Sequence, residues 1–221
     1  MTGWRTFLRS TRGASAAEFA LVLPAALLVM LGTIDVGRWA WTLNELEKAT
    51  QAGARHAVVT SLVASGLNEA DFGDACGTLQ VGQTISCKDA FPDITCTGAS
   101  CGCGAGGCGP VDPGFDSAAF AAILGQVHRY APYVAAENLT VTYSPSGIGF
   151  YGDPACLGER TKTGCDTGEL ADVAPIVTVR IASLQFQPIT FGLFGGGITL
   201  PARSYSLTLE DGVGSASALP G

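Results

Sequence analysis

The chain has 221 residues, of which 47% are hydrophobic and only 14% charged, and it carries a formal net charge of −7. A charged share so far below the roughly 25% of ordinary soluble domains excludes a disordered chain. The acidic balance argues against nucleic acid as the main partner, and eight cysteines point to an oxidising compartment rather than the cytosol.

The first segment is a short basic leader with Arg5, Arg9 and Arg12 and no acid before Glu18. From Phe19 to Ile34 there is no charged side chain. Counted from the small residues at Ala14, the run makes about 21 helical positions, near 32 Å at 1.5 Å per residue. That spans a hydrocarbon core of about 30 Å. The preceding arginines place Met1 in the cytoplasm and everything after about Arg38, including all the cysteines, outside. Asp35-Val-Gly-Arg-Trp39 is a poor cleavage site for an ordinary secretion signal, which needs small residues after the apolar run. Here the small residues, Gly13 to Ala17, come before it.

Glu18 sits at the edge of this span, where an unpaired carboxylate costs a few kcal/mol. Two partners suit it. One is Arg12, reached by snorkelling toward the cytoplasmic head groups. The other is a free amine at Ala14, one helical turn away, created by a cut after Gly13. Pro24 removes one backbone hydrogen bond and is expected to kink the helix.

The run Arg12-Gly-Ala-Ser-Ala-Ala-Glu18-Phe19-Ala-Leu-Val-Leu-Pro24, followed by Gly37-Arg38 and Ala52-Gly-Ala-Arg-His-Ala-Val58, resembles the TadE-like minor pseudopilins of the tight-adherence (Flp) pilus machinery. The likeness covers residues 9 to 60. It implies a class III signal cut between Gly13 and Ala14 by a prepilin peptidase, with Glu18 and Phe19 as part of the processing and assembly signal. It further implies other pilins or pseudopilins and the inner-membrane assembly platform as partners. The downstream Cys- and Gly-rich stretch has no counterpart in that resemblance.

Beyond Gly37 the helix is expected to continue to about Ala64. Trp39, Leu43, Leu46, Thr50, Gly53 and Ala57 recur at spacings of three and four, one face of an amphipathic helix. The small residues from Ala49 to Ala57 on that face permit close approach of another element, and Gly66 is a stop signal.

Residues 67–116 hold Cys76, Cys87, Cys96, Cys101, Cys103 and Cys108, with Cys156 and Cys165 further on. Around Cys101 to Cys108 there are almost no side chains to bury, so order is expected from cross-links. The C-x-C-x4-C spacing suits a metal on paper. With only His56 and His128 as histidines and an outside topology, disulfides are favoured over zinc. Cys101 and Cys103 are too close to pair with each other in relaxed geometry. The remaining connectivity stays open, with Cys156–Cys165 as a local option.

Ser117 is the expected N-cap of a helix running to about Ala131, with Phe120, Ile123, Leu124 and Val127 on one face and Pro132 beyond its end. Leu139–Tyr143, Ile176–Phe186 and Ile198–Leu209 alternate as strands, with residues 191–197 as the loop between the last two. The fold class is α+β: a long N-terminal helix packed on an antiparallel sheet, with a disulfide-braced insert. The expected division is a leader (1–13), a transmembrane helix (14–37), its amphipathic continuation (38–66), the Cys/Gly-rich insert (67–116), helix plus strands (117–211) and a flexible tail (212–221).

No nucleophile elbow, P-loop or zinc-protease motif occurs, and the Gly104–Gly107 and Gly195–Gly197 runs are loop glycines. Asp153 and Asp166 offer at most a weak calcium option, so neither catalytic residues nor cofactors are expected. The reading is a non-enzymatic, single-pass inner-membrane pilus component with its C-terminal part periplasmic or extracellular. The competing reading is a membrane-anchored, disulfide-rich binding module, in which Cys101 and Cys103 would be the reactive residues.

Overall fold

The computed structural model describes residues 14–68, 70, 84–87, 91–104, 106–109, 111–151, 171–192 and 196–209. The leader with Gly13, the tail, and Cys76, Cys156 and Cys165 with the Asp153 and Asp166 neighbourhood lie outside the described residues. Two compact units divide the chain: Met1–Leu43 with Gln185–Leu200, and Asn44–Leu184 with Pro201–Gly221.

Helix α1 runs from Ala14 to Ala57, 44 residues, with Pro24 inside it. It stops seven residues short of the expected Ala64. The reason lies in Val58-Val-Thr60, a β-branched run of low helix propensity, and in tertiary demand on the backbone just beyond it. Val63 N–H donates to the Tyr143 hydroxyl at 2.9 Å and Val63 C=O accepts from Asp116 N–H at 2.8 Å. Gly66 N–H donates to Pro113 C=O at 3.1 Å. These groups are committed to other elements and cannot serve a helix. Gly66 lies in a single 3-10 turn, Ser65–Asn68, where any Cβ would overlap the Asp112 carbonyl oxygen. Its role is close backbone approach rather than a helix stop.

The second unit is built on a five-stranded antiparallel sheet. Its strands are β2 (Ile94–Cys96), β3 (Cys101–Cys103), β4 (Leu139–Ser144), β7 (Ile176–Ile181) and β10 (Arg203–Thr208), in the order β10-β7-β4-β2-β3. Along β4 and β7, period-2 alternation puts Leu139, Val141, Tyr143, Val177, Val179 and Ile181 into the core. The opposite face carries a hydroxyl row in register, Thr95, Thr142, Thr178 and Ser206, one each from β2, β4, β7 and β10. Thr95 and Thr142 are bonded at 3.2 Å, and Thr178 and Ser206 at 2.8 Å. The insert therefore does more than rely on cross-links, because β2 joins the sheet with Ile94 and Cys96 fully buried. A separate three-stranded sheet joins β1 (Thr84–Cys87), β5 (Gly147–Tyr151) and β6 (Ala171–Val173), with β5 in the middle.

Helix α2 (Ser117–His128) buries Ala119, Phe120, Ile123 and Val127, while Leu124 is half-buried. Its N-cap is Asp116, not Ser117: Oδ1 accepts from Ala118 N–H at 2.8 Å and Ala119 N–H at 3.1 Å. Ser117 is the first helical residue. The helix closes at His128, ahead of Ala131 and Pro132. The C-terminal half of α1 meets α2 and the sheet through its small face, with Ala49, Ala54 and Ala57 fully buried. A Cβ at Gly53 would lie 3.1 Å from Val127 Cγ2 and 3.2 Å from Val179 Cγ1. The Ala/Gly face is what lets the two helices and the sheet come this close.

The two long C-terminal strands expected from alternation are each broken. Ser183, at φ 61°, leaves the extended region just after β7 has ended at Ile181. Next in the chain come β8 (Gln185–Phe186), a four-residue helical turn α3 (Ile189–Gly192) and β9 (Ile198–Thr199), with β8 paired to β9. Pro201, which lacks a ladder N–H, then separates β9 from β10.

Candidate functional site: the spanning helix and its clasp

The first half of α1 is apolar on every side. Phe19, Leu21, Val22, Leu28, Val29, Met30 and Ile34 are all exposed, Leu21 at 79%. A helix with apolar side chains all round needs an apolar solvent, and this one is long enough to cross a bilayer once. Ala14 opens it, and Glu18 stands exposed one turn further on.

At the other end of the apolar run stands a residue that the sequence pattern does not single out. Asp35 is buried, 6% exposed. Its Oδ1 accepts from Ile189 N–H at 2.8 Å. Its Oδ2 accepts from Thr190 N–H at 2.8 Å and from the Thr190 hydroxyl at 2.7 Å. Arg38, one turn along, reaches Oδ1 at 3.3 Å and lies 5.3 Å from the centroid of the Phe186 ring. One carboxylate thus ties the free N–H groups of α3 to the exit of the spanning helix, and Arg38 balances its charge. The only hint of this in the sequence is the Asp35–Arg38 spacing of three.

Among the described residues of the second unit, Cys96–Cys101 and Cys103–Cys108 are bridged, each over five positions. Cys96 and Cys101 face each other in the β2–β3 register. Sulfurs joined in disulfides supply no thiolates, so the C-x-C-x4-C metal option and the reactive Cys101/Cys103 option both fall. No free cysteine occurs among the described residues, nor any cluster of three His, Cys, Asp or Glu suited to a metal.

The polar groups of this unit serve packing. Burial pushes the Tyr143 phenol above its usual range, and its oxygen holds the Val63 N–H. The Tyr133 hydroxyl donates to Glu45 Oε2 at 3.3 Å, and burial together with that carboxylate pushes its phenol up to about 12. His56 is half-buried, and its Nε2 finds no hydrogen-bond partner. Burial, then the positive charge of Arg129, holds its imidazole below the usual range.

A span exposed on all sides, a carboxylate clasp at its exit and a disulfide-braced α+β unit fit a single-pass membrane protein. Residues 13–55 match the family described as TadE-like protein, so the likeness covers the spanning helix and most of its continuation. The match opens at Gly13 and ends at Arg55, within α1. No curated protein and no solved structure matches the chain. That match and the membrane-spanning length of α1 together support a general pilus-associated, membrane-linked role.

Proposed function

We propose that the chain is a minor pseudopilin-like assembly component of a tight-adherence (Flp, type IVb-like) pilus, cut between Gly13 and Ala14 by a prepilin peptidase. The observation that carries this reading is a family match that opens at Gly13, directly before a helix that opens at Ala14 with Glu18 one turn on. The cut removes Arg5, Arg9 and Arg12 and leaves an ammonium at Ala14 near the inner face of the membrane. In an assembling fibre that ammonium meets Glu18 of a neighbouring subunit and sets axial register, while Phe19 to Ile34 pack together. Such a pair adds little net stability, yet breaking it strands a charge at a cost of roughly 3–5 kcal/mol. The three leader arginines keep the N-terminus cytoplasmic and the second unit outside, where its disulfides persist. Other pilins and the inner-membrane platform are the partners in this reading.

The test is intact mass and N-terminal sequencing of the protein from cells with a working prepilin peptidase. A mature protein beginning at Ala14 is expected. Gly13→Leu is expected to leave the precursor uncut in the membrane, and Glu18→Ala to be cut but to assemble poorly. A mature chain that still begins at Met1 would favour the anchored binding module instead.

A further inference from the structure

The segment held by Asp35 has a composition of its own. No charged side chain occurs between Arg180 and Arg203, a stretch that contains the whole β8-α3-β9 hairpin. Ile189 at its near end is 44% exposed and Ile198 on β9 is 47% exposed. Phe186 and Leu200 of the same unit are buried while Ile189 and Ile198 turn outward. On α1 beside it, Val36 and Trp41 are also exposed.

The clasp sets the depth of this apolar surface. Asp35 directly follows Ile34, the last residue of the uncharged run, so Ile189 and Thr190 are hydrogen-bonded at the level where the hydrocarbon ends. Trp41 lies about 9 Å further along the helix axis at 1.5 Å per residue, within the head-group layer where tryptophan concentrates. Arg38, paired to Asp35 and stacked on Phe186, keeps its charge at that same level. An uncharged hairpin with outward isoleucines, pinned where a lipid-facing helix leaves the bilayer, continues the lipid-facing surface sideways.

We infer that the β8-α3-β9 hairpin is a membrane-interface element: Ile189 and Ile198 insert into the head-group and acyl boundary beside α1, and Asp35 holds them there. The partner is the bilayer itself. This rests on the membrane-spanning reading of α1 but not on leader cleavage or pilus assembly. Interfacial seating of this kind reaches roughly 5–10 Å into the head-group and acyl boundary. It orients the emerging chain about the helix axis, which a single span alone leaves free.

The experiment uses the full chain reconstituted into phosphatidylcholine/phosphatidylglycerol vesicles. Trp4, Trp39 and Trp41 are replaced by Phe, and one tryptophan is restored at a chosen site. With Ile198→Trp, strong quenching is expected from lipid brominated near the head of its acyl chains, and weak quenching from aqueous iodide. Leu27→Trp, deep in the span, is expected to be quenched best by lipid brominated near the chain ends. Adding Asp35→Ala to the Ile198→Trp protein is expected to lower its lipid quenching by about twofold or more, as the hairpin leaves the surface. An iodide-accessible indole in the Ile198→Trp protein, beside a lipid-quenched one in the Leu27→Trp protein, would overturn the inference and leave the span intact. Loss of lipid quenching in both proteins would overturn the span and the inference together. Unchanged quenching on adding Asp35→Ala would overturn the role given to the clasp.

Discussion

The two halves of α1 share one helical backbone and use opposite side-chain rules. Before Leu43 the helix carries large apolar residues that face outward, while from Asn44 onward its inward face is Ala49, Gly53, Ala54 and Ala57. Large side chains outside match a solvent of hydrocarbon, in which their exposure costs nothing. Small side chains inside let protein approach protein until side chains of α2 and the sheet touch the helix backbone. Which half is which follows from the medium each must satisfy, not from helix propensity.

Leucine truncation gives the largest contrast. Leu46 is 1% exposed and Leu27 is 48% exposed. Leu46→Ala is expected to destabilise the second unit by about 2–5 kcal/mol through lost burial and an unfilled cavity. Leu27→Ala is expected to leave that unit's unfolding unchanged. Denaturant unfolding of the full chain in detergent, followed by near-ultraviolet circular dichroism, separates the two. Equal effects would break the comparison.

Adding bulk tests the same rule from the other side. A side chain at Gly53 meets Val127, Val179 and Ile123, whereas at Gly37 nothing lies within 4 Å of a new Cβ. Gly53→Val is expected to cost about 1–3 kcal/mol by overpacking. Gly37→Val is expected to be neutral or slightly stabilising, since valine has the better helix propensity. The same unfolding measurement reads both, and a tolerated Gly53→Val would show that the small face is not packed tightly.

How much of this is legible in the chain depends on how local each signal is. The span, the small face and the strands at Leu139, Ile176 and Arg203 are written in periodicity, and their kind can be read there directly. The ends move where a single residue overrides a pattern. Val63 and Gly66 lend their backbones to Tyr143, Asp116 and Pro113. Asp116 rather than Ser117 caps α2, and Ser183 interrupts the strand that alternation carries through to Phe186. Strands β2 and β3 leave no comparable trace, because Ile-Thr-Cys and Cys-Gly-Cys are too short for any alternation to be read. The Asp35 clasp is invisible for a different reason. Its partners stand 154 and 155 positions away, and nothing in the local sequence of either end marks the other.

The smallest expected effect concerns pH, and it too divides the halves, because the only histidine of α1 lies in its protein-facing part. Burial and then Arg129 hold the His56 imidazole below its usual range of about 6.5. The unfolded chain therefore takes up the proton first as pH falls. The stabilising contribution is fully present above about pH 6.5, the unfolded value, and is lost as pH falls from there through the lower folded value. Protonation would also leave a charged Nε2–H without an acceptor and facing Arg129. Stability of the second unit is thus expected to decline gently below about pH 6.5, and His56→Gln, which does not titrate, is expected to flatten that decline while leaving stability at higher pH nearly unchanged. Unfolding curves at a series of pH values for the two proteins decide it. Parallel pH profiles would mean that His56 keeps its ordinary affinity for protons and that the packed half of α1 tolerates the charge.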